Sequence, residues 1–237
     1  MAALTGTESQ AEFADLHDWR ADQPIKHQGD GRVVLATRFD DWPRYHDALI
    51  AAIIGQSQDS GFARRYVAAF GGMKVESPER WQIPAVDLVC RRAMAFCAAA
   101  LNAPAPRSFE SWVNIYGHGD YAIAHSHPAA TVSLLYVVDP GDEELSHDRS
   151  SETDPLAGQF AIVDPRYPSC CRNQDGYVTN PVMPKLYPGL MLLFPGWLVH
   201  AVNPHRGTRP RITMTWNIRL DSAVAAALPE GAARQLR

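Results

Sequence analysis

What the chain does not have narrows it first. Its four cysteines contain no C-x-x-C pair: Cys90 and Cys97 fall in a helix-like segment, and Cys170 and Cys171 are adjacent. That spacing argues against a disulfide scaffold and a structural zinc site, and fits reduced thiols in a cytoplasmic protein. No run approaches the roughly 20 apolar residues of a membrane span. The opening M-A-A-L-T-G-T-E-S-Q has neither a basic region nor an apolar stretch, so no secretion signal is expected. Charge of one sign is equally scarce. A net charge of −4 gives no electrostatic footprint for nucleic acid or an anionic membrane. Internal repeats and low-complexity tracts are absent. With 46% hydrophobic and 20% charged residues over 237 positions, the chain can bury a core unaided and reads as a single domain.

What is present divides into three parts: a strand and helices over 1–107, a β-rich metal-binding core over 108–220, and a tail over 221–237. Residues 1 to about 30 are polar without a sustained period, and the first several are expected to be disordered. G-R-V-V-L-A-T-R, from Gly31 to Arg38, reads as a strand. Asp40 and Asp41 precede a helix that Gly55 should end, and a second helical patch covers about 61–70. A third helix begins at Pro84, with Val86, Val89, Cys90, Ala93, Cys97 and Leu101 as its buried stripe. From Ser108 the pattern changes to strands, at about 110–116, 121–125, 131–138, 158–164, 189–194, 197–203 and 210–219. Helices first and strands afterwards predict helices packed on a β-sandwich. The segments 140–157 and 165–187 read as surface loops, expected to form part of a site's rim.

The strongest chemical signal is H-S-H, His125 and His127, followed far downstream by His200 in F-P-G-W-L-V-H. Residues two apart in an extended chain share a face, so both imidazoles can converge on one ion. A folded-back strand bearing His200 completes a facial set whose open positions suit non-heme iron. The plainer alternative is a pair of solvent-facing loop histidines. In R-I-T-M-T-W-N-I, polar Arg211, Thr213, Thr215 and Asn217 alternate with apolar neighbours, which predicts one polar face. Arg211 on such a face can fork onto a carboxylate; a solvent-exposed edge would carry the same pattern. Asn114 and Tyr116, on the strand before His125, can hydrogen-bond carboxylate or ketone oxygens. Ser133 and Tyr136 follow on the next strand, as site residues or as routine packing.

Taken together, W-V-N-I-Y-x-x-G-D-Y-x-x-x-H-S-H-P, S-L-L-Y-V, P-G-L-M-L-L-F-P-G-W-L-V-H-A-V and R-I-T-M-T-W-N resemble the 2-oxoglutarate–Fe(II) oxygenase superfamily, in its bacterial and phage branch with H-x-H-P. The resemblance spans roughly Ser111 to Leu220. It implies a mainly β, double-stranded β-helix (jelly roll) with N-terminal packing helices, Fe(II) as metal and 2-oxoglutarate as cosubstrate. His125 and His200 fill the histidine positions of the facial triad, Arg211 holds the far carboxylate of 2-oxoglutarate, and Asn114 and Tyr116 contact it. His127 stands where the usual H-x-D or H-x-E has its carboxylate, and Asp120 is the acid that can replace it. The spacing of Gly119 to the H-x-H and of Gly189 to Pro195 and His200 also echoes the cupins. A cupin-type metalloenzyme indifferent to 2-oxoglutarate and a non-catalytic jelly-roll binding module are therefore the alternatives. The substrate is a small molecule or a peptide that the sequence does not name.

Overall fold

The computed structural model describes residues 12–28, 34–59, 61, 63–65, 71–142, 157–163 and 183–221. Most of the two expected rim loops, Cys170, Cys171, the first residues and the tail from 222 lie outside these.

The elements run β1 (Lys26–Gln28), β2 (Val34–Arg38), α1 (His46–Ser57), β3 (Ala63–Arg65), β4 (Met73–Glu76) and α2 (Pro84–Leu101). Then follow β5 (Phe109–Tyr116), β6 (Ala122–His125), β7 (Val132–Asp139), β8 (Phe160–Val163), β9 (Leu190–Pro195), β10 (Val199–Val202) and β11 (Arg211–Ile218). Eight strands form one sheet in the order β1-β2-β9-β7-β11-β5-β4-β3, and three form another, β6-β10-β8. Every pairing among the described residues is antiparallel. This is the expected jelly-roll sandwich with helices added.

Helix α2 follows from its residues. Pro84 occupies the first turn, where no N–H is needed, and Asp87 faces the positive end of the helix dipole. Asn102, at φ 50°, ends it in the left-handed conformation, its N–H meeting the Ala98 and Ala99 carbonyls. All six expected stripe residues are buried. Helix α1 passes through Gly55 to Ser57, against expectation. A glycine inside a helix costs only about 1 kcal/mol relative to Ala, too little to stop a helix held by buried Leu49 and Ile53.

The expected helix over 61–70 is also corrected where it is described. Ala63–Arg65 is a strand, with Ala63 opposite Val75 and Arg65 opposite Met73. So short a segment cannot sustain a helical nucleus, and the ladder with β4 decides its conformation. Neither β1 nor β4 is expected from the sequence, yet β4 proves important to the site.

The large sheet separates two apolar cores. On one face α1 and α2 bring Leu49, Ile53, Val86 and Phe96 against Leu134, Met214 and Trp216. On the other, Leu135, Val137, Leu192 and Phe194 meet Phe160, Ile162 and Val202 of the small sheet. β7 serves both, since alternate residues of a strand point to opposite faces. Truncating Trp216 to Ala would cost about 3–5 kcal/mol in such packing. Arg92 of α2 is 1% exposed and ties the helical layer together. Its guanidinium donates to both Asp41 carboxylate oxygens at 2.7 Å and to the Tyr45 hydroxyl at 3.1 Å, and stacks over Phe39.

Candidate metal centre

The three histidines are brought together by the small sheet. His125 of β6 is the direct ladder partner of His200 of β10, which is also paired to Ile162 of β8. His127 lies just beyond β6 and is fixed differently. Its N–H donates to the Gly196 carbonyl at 2.7 Å, and the Gly196 N–H donates to Thr131 at 3.1 Å. A Cβ at Gly196 would overlap the Ala130 carbonyl and stand 2.7 Å from that of His127, so the β9–β10 turn must carry glycine to approach so closely.

Ring centroids stand 4.3 Å apart for His125–His200, 5.0 Å for His125–His127 and 5.1 Å for His127–His200. One nitrogen from each ring lies within 4.8 Å of the others. Nδ1 of His125 sits 2.7 Å from the Ile123 carbonyl oxygen, and Nδ1 of His200 sits 3.0 Å from that of Leu198. A carbonyl only accepts, so each Nδ1 carries the hydrogen and each Nε2 keeps its lone pair. Burial, then the neighbouring imidazoles, push His200 down to about 3. Burial, then His125 and Lys74, push His127 down to about 4. Burial lowers His125 as well. Neutral imidazoles with lone pairs converging at this spacing fit a divalent metal ion.

The triad opens on a cavity of about 290 Å³ between the two sheets. Its apolar wall includes Leu135, Phe160, Phe194 and Val202. Across the large sheet runs a polar row: Lys74 is paired with Asn114, and Asn114 with Thr213. All three line the cavity. Asn114 is oriented by accepting from the Trp112 indole at 3.1 Å and donating to the Thr215 hydroxyl at 3.2 Å. Thr213 is 1% exposed, and its buried hydroxyl has no hydrogen-bonding partner among the described residues. Such a buried group is costly unless a ligand completes it. One row further along, Arg211 is the register partner of Tyr116, and its guanidinium carbon lies 5.5 Å from the Tyr116 ring centroid. Arg211 is fully buried, and Tyr116 forms the cavity wall beside it.

Not every expected residue gathers here. Tyr136 is corrected: it points to the helical face, where its hydroxyl meets that of Tyr45 at 2.9 Å. Strand parity explains this, because Leu135, its neighbour, takes the cavity side. Ser133 and Asn217 are also register partners, and the Ser133 hydroxyl donates to Asn217 at 2.7 Å. They lie at the end of β11 away from Arg211 and do not line the cavity. Asp120 is not among the grouped metal-ligating residues. Its carboxylate accepts from the Gly117 N–H at 2.8 Å and closes the turn between β5 and β6. Lys74 is the residue that sequence reasoning missed. The alternation M-K-V-E after Gly71-Gly72 is its one signal, too short to separate from a loop.

Comparison with known proteins agrees with this geometry. Residues 110–217 match the family described as "Putative 2OG-Fe(II) oxygenase", 2OG being 2-oxoglutarate. Among solved structures, the chain is similar to a prolyl hydroxylase from Trichoplax adhaerens at 15% identity, covering 77% of this chain and 81% of that one, with a TM-score of 0.53. It is similar to the non-heme alpha ketoglutarate dependent carbocyclase SnoK from nogalamycin biosynthesis at 10% identity, covering 80% of each chain, with a TM-score of 0.56. AviO1 from Streptomyces viridochromogenes Tue57 is similar at 16% identity, over 94% of this chain and 98% of that one, with a TM-score of 0.51. At these identities the structures share the fold. No curated protein is significantly similar in sequence. No helix among the described residues is long and apolar enough to cross a membrane. The jelly-roll fold and the clustered histidines agree with the family match over residues 110–217, which marks this region as similar to a 2-oxoglutarate–Fe(II) oxygenase, an enzyme with Fe(II) and 2-oxoglutarate as its cofactors.

Proposed function

We propose that the chain is a hydroxylase in which His125, His127 and His200 together hold Fe(II), with His127 in place of the customary carboxylate. The observation that carries this is the convergence of three neutral imidazoles on a cavity with no acidic side chain among its described lining residues. When bound, the iron with 2-oxoglutarate and dioxygen supplies the oxidising chemistry. The protein's share is position and electrostatics. Arg211 provides the positive charge for the far carboxylate of 2-oxoglutarate. Asn114, Tyr116 and the Thr213 hydroxyl offer hydrogen bonds to its oxygens, and Phe160, Phe194 and Leu135 keep water from the reacting centre. The substrate is a small molecule or a peptide.

Anaerobic titration of the Fe(II)-loaded protein with 2-oxoglutarate tests the proposal through the visible charge-transfer band of the chelate. A saturable band is expected, with Arg211→Ala raising the 2-oxoglutarate concentration needed while metal content stays unchanged. Loss of metal in that variant would remove Arg211 from its assigned role. Iron without a band in the parent protein would favour cupin-type chemistry.

A further inference from the structure

The three imidazoles are not held alike. His125 and His200 each set Nδ1 against a carbonyl two residues back along the chain, and Phe160 and Phe194 flank the His200 ring. Neither ring nitrogen of His127 has a hydrogen-bonding partner among the described residues. Its backbone N–H is tied to Gly196, yet that bond leaves both side-chain torsions unfixed. What bears on the ring is Trp112, whose indole meets it at an interplanar angle of 64° with centroids 5.8 Å apart. Apart from His125 and His200, this is the one aromatic ring against His127 among the described residues.

Trp112 is itself fixed. It is 8% exposed on the interior strand β5, in register between Glu76 of β4 and Thr215 of β11. Its N–H donates to the Asn114 side-chain oxygen at 3.1 Å, and the Asn114 amide donates to the Thr215 hydroxyl at 3.2 Å. The Lys74 ammonium lies over the ring, 3.7 Å from its centroid. A rigid strand thus carries a buried indole whose ring meets the third imidazole and whose N–H meets the polar row. An imidazole with an unset plane seldom aims its lone pair at a metal, and outer contacts supply that aim. An edge-to-face neighbour removes most of the wrong orientations.

We infer that Trp112 is a positioning residue for the metal centre. Its ring sets the plane of the His127 imidazole and its N–H sets the Asn114 amide, so one side chain aligns the third ligand with the cosubstrate row. The inference rests on the reading of His127 as a metal ligand given above.

Cobalt(II) titration of the full-length protein tests it, because the visible d–d bands report the number and geometry of the ligands. His127→Ala supplies the reference spectrum of a centre without the third imidazole. Trp112→Phe keeps an aromatic ring beside His127 and should keep the parent bands. Trp112→Leu should move the bands towards those of His127→Ala and weaken cobalt binding roughly two- to tenfold, the worth of one aromatic contact. Both variants lose the N–H to Asn114. Both should therefore need roughly two- to tenfold more 2-oxoglutarate to saturate the Fe(II) chelate band. Phe96→Leu removes a buried ring from the helical core, controls for general loosening and should leave both readouts unchanged.

Parent bands in Trp112→Leu, or an equal shift in Phe96→Leu, overturn the role at His127. An unchanged 2-oxoglutarate titration in Trp112→Phe overturns the role at Asn114. Should Trp112→Leu not fold, nuclear Overhauser contacts between the Trp112 and His127 ring protons of the zinc-loaded parent decide, and their absence overturns the inference. If the parent binds no cobalt, or His127→Ala keeps the parent bands, the ligand reading itself fails. That failure is read on the parent and His127→Ala alone, and so is distinct from a failure at Trp112.

Discussion

His125 and His200 face each other across the β6–β10 ladder with ring centroids 4.3 Å apart, although one belongs to H-S-H and the other to a segment far downstream. Backbone pairing sets their separation before any metal arrives, and the Nδ1 contacts to Ile123 and Leu198 set their tautomers. Such placement on paired strands is what a ligand site needs. His127 is held instead by its N–H to Gly196.

Replacing His200 with Ala should therefore abolish stable iron binding while leaving the fold intact. His127→Ala should lose at least the roughly 10–100-fold in affinity known for outer-shell partners. His127→Asp should retain metal, since it restores an anionic ligand at the same position. Metal content after dialysis, read beside melting temperature, checks all three. Full iron retention by His200→Ala would break the assignment.

The depressed histidines also make metal-free stability depend on pH. An imidazole ordinarily titrates near 6.5, whereas His127 and His200 in the fold lie at about 4 and about 3. Between those values the unfolded chain binds more protons, so stability rises with pH. The contribution is complete above about 6.5 and is lost progressively as pH falls towards the folded values. The melting temperature of the metal-free protein should drop from pH 7 to pH 5. Combining His127→Gln with His200→Gln should flatten that dependence. An equally steep profile in the double variant would mean that other groups drive it.

Tyr136 offers a clean separation of packing from chemistry. Its hydroxyl bonds to that of Tyr45 on the helical side of the sheet. Tyr136→Phe should cost about 1 kcal/mol of stability, the worth of one hydrogen bond, and leave the 2-oxoglutarate titration unmoved. A weakened chelate band would place Tyr136 in the site after all.

Gly196 has no side chain, yet the metal site depends on it. Gly196→Ala would drive a methyl group into the Ala130 and His127 carbonyls, forcing the β9–β10 turn off the segment that carries His127. Expected are a stability loss of about 1–3 kcal/mol and weakened metal binding. His125 and His200 should keep their ladder pairing. Denaturant melts and iron titration measure the two effects, and an unperturbed iron affinity would show that His127 is positioned by other contacts.

Much of this was legible because the informative segments are long and regular. β5, β7 and β11 each span eight residues, and their extents fall within a residue or two of expectation. The helical stripe of α2 was equally clear, as was the trio of histidines. Short strands were not legible: β1 and β3 have three residues each and owe their conformation to a partner the sequence does not specify. Face assignment was the other weakness. Ser133, Tyr136 and Asn217 were placed on the right strands, but which side of a buried strand faces a cavity depends on what covers each side. Lys74 was invisible for both reasons, lying on a four-residue strand whose role appears only beside Trp112.

The eight-stranded sheet, with the helices behind it and the histidines before it, works as a partition between two kinds of evolutionary freedom. Residues such as Leu49, Val86 and Phe96 answer only to volume and hydrophobicity, and conservative exchanges among them can drift without meeting the chemistry. Residues on the opposite face are bound to one another through a shared ligand and can change only in concert. The cavity side can thus be remodelled while the foundation on the helical side stays as it is.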